Sequence, residues 1–415
     1  MNLNSNCIIC KGRDPAKYCN KTICPIIVKN KAYAKARDFK VSEELTSDSP
    51  AVFIGHYGYP HVNVGILTPP EKQNDTWLYD APTTWGKNNF QIPQVIDYRS
   101  ALINSRFKSG VKDTNRMVEI AQEVSQSLKP VDLEIGLERK PKLNINFDPF
   151  SAPTGPNAGL KMVKITANTK VDRQIEKRVS DKDLLSNQAI IELWKKGYDE
   201  NFLSKLLSVG NLGIAKDRKL VPTRWSITAV DDNVGKEIIE TIKDYEITEN
   251  TLFFGNYLGN YYIIMMFEDV WEYELFEMYT SQPKNPWSKE GFRYATDYEG
   301  YEGRKTYAEE TAGGYYAARL PILNYLQKEK KQASCLVFRF ITGEYTLPLG
   351  VWVVREATKK TIDSKKHLFE TKEQMINYAK FIAKKKFNID IDDMLKESKL
   401  YNKQRSQLKL MHFSM

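Results

Sequence analysis

Four of the chain's five cysteines stand at its start, as Cys7-x2-Cys10-x8-Cys19-x4-Cys24. No other stretch restricts a local fold so tightly. Two cysteines separated by two residues form a knuckle that aims both sulfurs at one ion. A second pair closes a tetrahedral shell, and thiolates suit zinc. The intervening KGRDPAKY is polar and turn-forming, and Lys11, Arg13, Lys17 and Lys21 offset the negative charge of four thiolates. The spacing predicts a structural zinc knuckle over residues 1–30, with two disulfides or an iron–sulfur cluster as the other chemistries it allows. Four protein ligands leave no open coordination position, so such a zinc is a staple and not a catalyst. Cys335, inside the apolar ASCLVFRF, reads as core.

The redox argument depends on compartment. No run approaches the roughly 20 apolar residues of a membrane-spanning helix. The N-terminus shows no apolar stretch ahead of a small-residue cleavage site. We therefore expect a cytoplasmic protein without a membrane partner, whose thiols stay reduced. At 415 residues the chain exceeds one ordinary core and predicts two main domains. The net charge of +9 is unevenly placed: residues 1–40 hold nine Lys/Arg against two Asp, residues 359–415 hold fourteen against seven acids, and the body between is mildly acidic. Basic ends suit a polyanion such as DNA.

Along the chain, 52–70 reads as two strands around a Gly/Tyr/Pro-rich turn, and 115–128 as a helix with Met117, Val118, Ala121, Val124 and Leu128 on one stripe. VDLEIGL alternates as a strand, 147–159 is a Pro/Gly loop, and 172–208 is largely helical. KLVPTRWSITAVDD reads as a strand before a helix at 235–246, and TLFFGNYLGNYYIIMMF as a hairpin. Helix 313–328 is expected to be interrupted at Pro321. ASCLVFRFI and PLGVWVVRE read as strands, and 368–400 as basic helix. With no βαβ period, the fold class is α+β, mixed sheets and helices. The expected domains are the knuckle at 1–30, a large N-terminal domain at 31–290, a smaller C-terminal domain at 291–400, and a flexible tail at 401–415. No phosphate-binding loop of the GxxxxGK type and no GxGxxG is present.

Three stretches could carry chemistry. GHYGYPHVNVG places His56, Tyr57, Tyr59, His61 and Asn63 around glycines that admit a ligand, with tyrosines able to stack on a ring. Read as a strand, 218–232 sets Arg224, Ser226 and Thr228 on one face, where they could grip phosphate, and Trp225 on the other; Asp231 and Asp232 could bind a cation or cap the next helix. Glu268, Asp269, Glu272, Glu274 and Glu277 supply carboxylates of the kind two-metal nucleases need, although acids this numerous usually form a solvated face. At the C-terminus, Gln407, Leu410 and Phe413 fit the pattern of short tails that dock on the DNA sliding clamp: one helical turn aligns the aliphatic and aromatic side chains. Ser414 stands where such motifs carry a second aromatic.

Taken together, the four-cysteine opening, SPAVFIGHYGYPHVNVG, LYDAPTTW, DRKLVPTRWSITAVDD, KQASCLVFRF, PLGVWVVRE and the tail resemble the archaeal Nre family of DNA repair proteins across essentially the whole chain. The resemblance implies zinc held by Cys7, Cys10, Cys19 and Cys24. It also implies sliding-clamp (PCNA) docking through Gln407, Leu410 and Phe413, and repair of DNA alongside excision-repair proteins. It brings no catalytic activity with it. Two functions follow. One is a DNA-binding repair factor recruited by the clamp. The other is an enzyme on nucleic acid or nucleotides, an ADP-ribosyltransferase-like transferase or a metal-dependent nuclease, built on His56, Tyr57, Arg224, Ser226 and Thr228 with a carboxylate from 268–310.

Overall fold

A computed structural model of the chain describes residues 9–19, 21–37, 42–142, 154–280 and 294–411, with side chains to Arg405 in the last helix. It is a mixed α and β fold that divides into two compact units, the first formed by Cys24–Val234 with Leu347–Leu349, the second by the remaining segments, including Gly235–Thr346 and Gly350–Met415. The division between the two units falls at Val234 and Gly235.

In the first unit, helix α1 (Pro25–Arg37) precedes strands β1 (Glu44–Ser49), β2 (Ala51–Ile54) and β3 (His61–Thr68), then helices α2 (Pro82–Lys87) and α3 (Ile92–Ala101). Strand β4 (Ile103–Gly110), helix α4 (Arg116–Gln126), and strands β5 (Val131–Leu137) and β6 (Asn157–Ile165) follow. The six strands order as β1-β5-β6-β4-β3-β2, antiparallel except for the β4/β6 pair. Alternation decides which face is buried: Val62, Val64 and Ile66 of β3 and Leu133 and Ile135 of β5 point into one core. Val118, Ala121 and Val124 of α4 pack on it, whereas Leu128, predicted on the same stripe, lies past the helix end and is exposed. Asn157 begins β6 and is not loop as expected; residues 147–153 of that loop lie outside the described residues. Helices α5 (Arg173–Ser180), α6 (Ser186–Lys195) and α7 (Glu200–Ser208) match the helical expectation.

The stretch from Thr223 is not a strand but the start of α8 (Thr223–Ile242). Ser226, Val230, Val234, Ile238 and Ile242 are all fully buried, one apolar or small side chain every four residues, a period that the six-residue alternation at 224–229 hides. Asp231 and Asp232 therefore stand inside a helix and cap none.

The second unit holds a sheet ordered β11-β10-β13-β9-β8-β14. A two-residue strand β7 (Glu246–Ile247) leads into β8 (Thr251–Tyr257) and β9 (Asn260–Phe267), which form the expected hairpin, and β10 (Glu272–Tyr279) and β11 (Tyr294–Glu299) follow. Helix α9 (Ala312–Glu329) runs on through Pro321 without a break. Side chains 314–323 are buried on every side, and a helix so enclosed can lose one backbone bond and persist. After β12 (Lys331–Gln332), β13 (Ser334–Ile341) pairs parallel with β10 and antiparallel with β9, and it buries Cys335 as expected. PLGVWVVRE gives not a strand but helix α10 (Trp352–Ile362), whose β-branched residues are buried together with Arg355 and Glu356. Strand β14 (His367–Leu368) edges the sheet, and helices α11 (Lys372–Phe387), α12 (Asp392–Glu397) and α13 (Lys399–Met411) close the chain. Residues 401–411 lie in this last helix. Lys21 Nζ donates to Tyr345 O (2.8 Å) and Thr22 N to Gly343 O (3.3 Å), attaching the N-terminal segment to the turn after β13. Among the described residues no helix is long and apolar enough to cross a membrane.

Candidate functional site

The loop between β2 and β3 is shaped by its own backbone. Gly55 N donates to Asn63 O (2.9 Å) and His61 N to Gly58 O (2.8 Å), closing a tight turn. Gly58 has φ +83°, and a Cβ there would stand 2.8 Å from His61 O, so only glycine fits. The start of α8 is tied to the same strand: Thr223 Oγ1 accepts from Ile54 N (2.9 Å) and lies 3.1 Å from Ser208 Oγ. Val221 and Ser208 bond reciprocally, Val221 N to Ser208 O and Ser208 Oγ to Val221 O, each at 2.8 Å. These bonds bring the first turn of α8 beside the loop.

Arg224 Nη1 consequently lies 3.4 Å from His56 Nε2. Desolvation and then the Arg224 charge hold the His56 imidazole below its ordinary range. The Tyr57 ring lies 3.9 Å from that of His56, and Tyr59 packs on Trp225 at 5.1 Å. Tyr57 is 79% exposed, Trp225 45% and Tyr59 42%; Phe53 of β2 is exposed as well. Arg224 forms no ion pair among the described residues. The result is a surface of rings beside an uncompensated guanidinium, able to stack on planar groups and hold an anion.

Of the five predicted site residues, His56, Tyr57 and Arg224 meet here. Ser226 does not join them: it is fully buried, and its hydroxyl turns to Pro222 O (3.4 Å). Thr228 Oγ1 bonds back to Arg224 O (3.4 Å) along its own helix. Trp225 is the residue that sequence reasoning missed. A strand would place it opposite Arg224, whereas a helix turns both toward solvent, and the signal was the four-residue period of its buried neighbours.

The carboxylates of 268–310 belong to the second unit and are mostly not a solvated face. Glu272, Glu274 and Glu277 are each under 5% exposed. Glu272 pairs with Lys403 and accepts from Tyr298 Oη (3.1 Å). Glu274 accepts from Ser398 Oγ, Lys399 N (3.1 Å) and Leu400 N (3.0 Å), capping the start of α13. Glu277 pairs with Arg339, its partner across the β10/β13 register. Asp269 accepts from Gln404, and Glu268 is exposed. Each buried acid is committed to a structural partner, which argues against a two-metal centre.

The cysteine knuckle is not displayed. Cys10 is buried, Cys19 exposed and Cys24 half-buried, and none forms a disulfide. Cys19 Sγ bonds to Pro15 O (3.2 Å) at the end of a short helix, Pro15–Cys19. Among the described residues no three His, Cys, Asp or Glu side chains are placed to hold a metal. Cys7 lies outside the described residues, as do Phe413 and Ser414 and the side chains of Gln407 and Leu410.

A family model described as "Archaeal Nre, N-terminal" matches residues 18–288, and one described as "Archaeal Nre, C-terminal" matches 299–413. The "DNA repair protein NreB" of Archaeoglobus fulgidus is 34% identical over 405 residues, 97% of this chain and 98% of that protein. The "DNA repair protein NreA" of Haloferax volcanii is 35% identical over 327 residues, covering 76% and 77%. The NreA of Archaeoglobus fulgidus is 34% identical over 370 residues, covering 88% and 90%. No solved structure matches the chain.

Proposed function

The chain belongs to the archaeal Nre family, and from that premise we propose that it is a DNA repair factor that grips unpaired DNA on the Tyr57/Tyr59/Trp225 surface and is brought to its site by the sliding clamp. The observation that carries the first half is the exposure of three aromatic rings around Arg224. Singly exposed apolar side chains are ordinary, but Trp225, Tyr59, Tyr57 and Phe53 are exposed together, and such clusters mark binding surfaces. A duplex hides its base faces inside the stack, whereas an unpaired strand presents them, and Arg224 supplies positive charge for its phosphates. The enzyme reading has less support, because Ser226 is buried, Thr228 bonds back to its own helix, and the buried acids are each committed to a structural partner.

Fluorescence anisotropy with single-stranded and duplex oligonucleotides tests the proposal. Trp225→Ala and Tyr57→Ala should each weaken single-strand binding by about 1–3 kcal/mol. Arg224→Ala should lower the salt slope by about 0.7. Unchanged affinity in the Trp225→Ala/Tyr57→Ala double variant would remove the surface from the argument.

Support for clamp docking comes from the tail sequence, Gln407-x-x-Leu410-x-x-Phe413. Phe413→Ala should abolish capture by immobilised PCNA while leaving DNA binding intact. Capture that survives this change rules the tail out.

A further inference from the structure

The second unit carries another aromatic and basic surface, on α11 and β14. The inner face of α11 is spent on the core: Met375, Ile376, Ala379, Ile382 and Ala383 pack under the sheet. Its outer face is not polar throughout, as a solvated helix face would be. Phe381 is 54% exposed and Leu368, on the edge strand β14, 57%. Between them the rings form a series: Tyr378 lies 5.3 Å from His367, 5.5 Å from Phe369 and 6.3 Å from Phe381, with the Tyr378 and Phe381 planes only 21° apart. Lys385 Nζ stands 5.3 Å over the Phe381 ring.

Exposed lysines surround this series, Lys384, Lys385 and Lys386 in the last turn of α11 and Lys365 and Lys366 before β14. Cations in a last helical turn have an ordinary use, since they complement the helix dipole. That accounts for the lysines but not for a phenylalanine and a leucine held in water among them. Of the rings, Phe381 is exposed while Tyr378, Phe369 and His367 are half-buried, Tyr378 and Phe369 against the core; an exposed ring set among cations suits a polyanion bearing planar groups.

We propose that this surface is a second nucleic-acid site, which takes a single strand by stacking bases on the Tyr378–Phe381 series and holding phosphates with Lys384, Lys385 and Lys386. It shares with the Trp225 surface only the class of ligand, and it rests on different residues in a different unit. An anionic membrane could in principle use the same lysines. The near-parallel Tyr378 and Phe381 rings favour bases over acyl chains, which have no planar face to stack.

The test uses the full chain, a labelled oligothymidylate and vesicles containing phosphatidylserine. Phe381→Ala should weaken oligothymidylate binding by roughly 5- to 150-fold. The triple variant K384A/K385A/K386A should lower the salt slope by about 2. Melting temperature should stay at the wild-type value in Phe381→Ala, because the ring is largely in water. Affinity within twofold of wild type together with an unchanged slope overturns the proposal. So does loss of vesicle capture with oligothymidylate binding intact. Binding lost in Phe381→Ala but retained in Trp225→Ala leaves this site standing and removes the Trp225 surface; the reverse pattern removes this site and leaves the other.

Discussion

Arg319 and Glu299 form an ion pair at 2.6 Å in which both side chains are 0% exposed. Arg319 comes from α9 and Glu299 from the edge strand β11, so the pair joins helix to sheet. The guanidinium also covers the Tyr315 and Tyr316 rings, and a Cβ at Gly235 would stand 2.9 Å from its Nη2. Arg319→Leu keeps an apolar stem but leaves the Glu299 carboxylate buried without its cation, and the other oxygen, Oε1, already lacks a hydrogen-bond partner. Breaking a buried pair from one side costs about 3–5 kcal/mol. Because the chain contains two compact units, a global unfolding signal mixes them, and the change is better followed by hydrogen exchange in β10, β11 and β13. Amides there that open only with the unit should exchange about two to four orders of magnitude faster. The double variant Glu299→Leu/Arg319→Leu should recover most of the loss, since apolar replacement of both partners is often neutral. A single-variant cost below about 1 kcal/mol, or a double variant no more protected than the single, would refute the reasoning.

Burial holds the Glu274 carboxyl above its ordinary range, against the opposing effect of Ser398 and the Leu400 and Lys399 amides. A raised folded-state value means that the folded chain binds this proton more tightly; the associated stability is present at acid pH and lost as pH rises through the raised value. The melting temperature of wild type relative to Glu274→Gln should therefore fall as pH increases from about 4, and parallel curves for the two proteins would contradict this. Arg224→Ala should raise the His56 value toward the usual imidazole range, read by NMR titration of the ring protons; an unmoved titration would mean that the 3.4 Å contact carries no charge effect. The cysteine spacing argues for one zinc per chain, and Cys7→Ser should release it and loosen the first 30 residues; metal analysis giving equal zinc in variant and wild type, or none in either, would remove the knuckle.

Strands were legible in the sequence where one face is more buried than the other, because a period of two then shows over short runs, as in β3 and β5; β9, buried at every position, was legible as a short apolar run set off by Gly-Asn turns. Helices were legible where a stripe contrasts with a polar back, as in α4. One was lost where enclosure is complete. Around Val353 and Val354 in α10, polar Arg355 and Glu356 are as buried as the valines, so no stripe exists to read and β-branched composition suggests a strand instead. The start of α8 failed differently. Arg224, Ser226 and Thr228 do alternate with Trp225 and Ile227, and only the buried residues from Val230 to Ile242 show that the same residues also satisfy a helical period. That one misreading separated Trp225 from Arg224 and so concealed half of the candidate surface.

The two units reverse the usual assignment of residues in opposite ways, and the difference between them is informative. In the second unit Glu277 and Arg339 are buried, yet each has its counter-charge directly across the β10/β13 register. Slipping that register by one residue would leave two buried charges unpaired, so the pair fixes the parallel alignment even if it adds little net stability. A charge inside thus has an explanation internal to the fold. In the first unit the reversal runs outward: Tyr57, Tyr59 and Trp225 sit in solvent, and no register or cap depends on their rings. Burying such side chains would gain about 1.5–3 kcal/mol each. The loop that holds the two tyrosines is nevertheless tightly built, by a glycine at φ +83° and by backbone bonds to β3 and to Val111 after β4. A fold that spends ordered backbone on keeping rings exposed gains nothing from it alone, and the gain must come from something that lies on those rings.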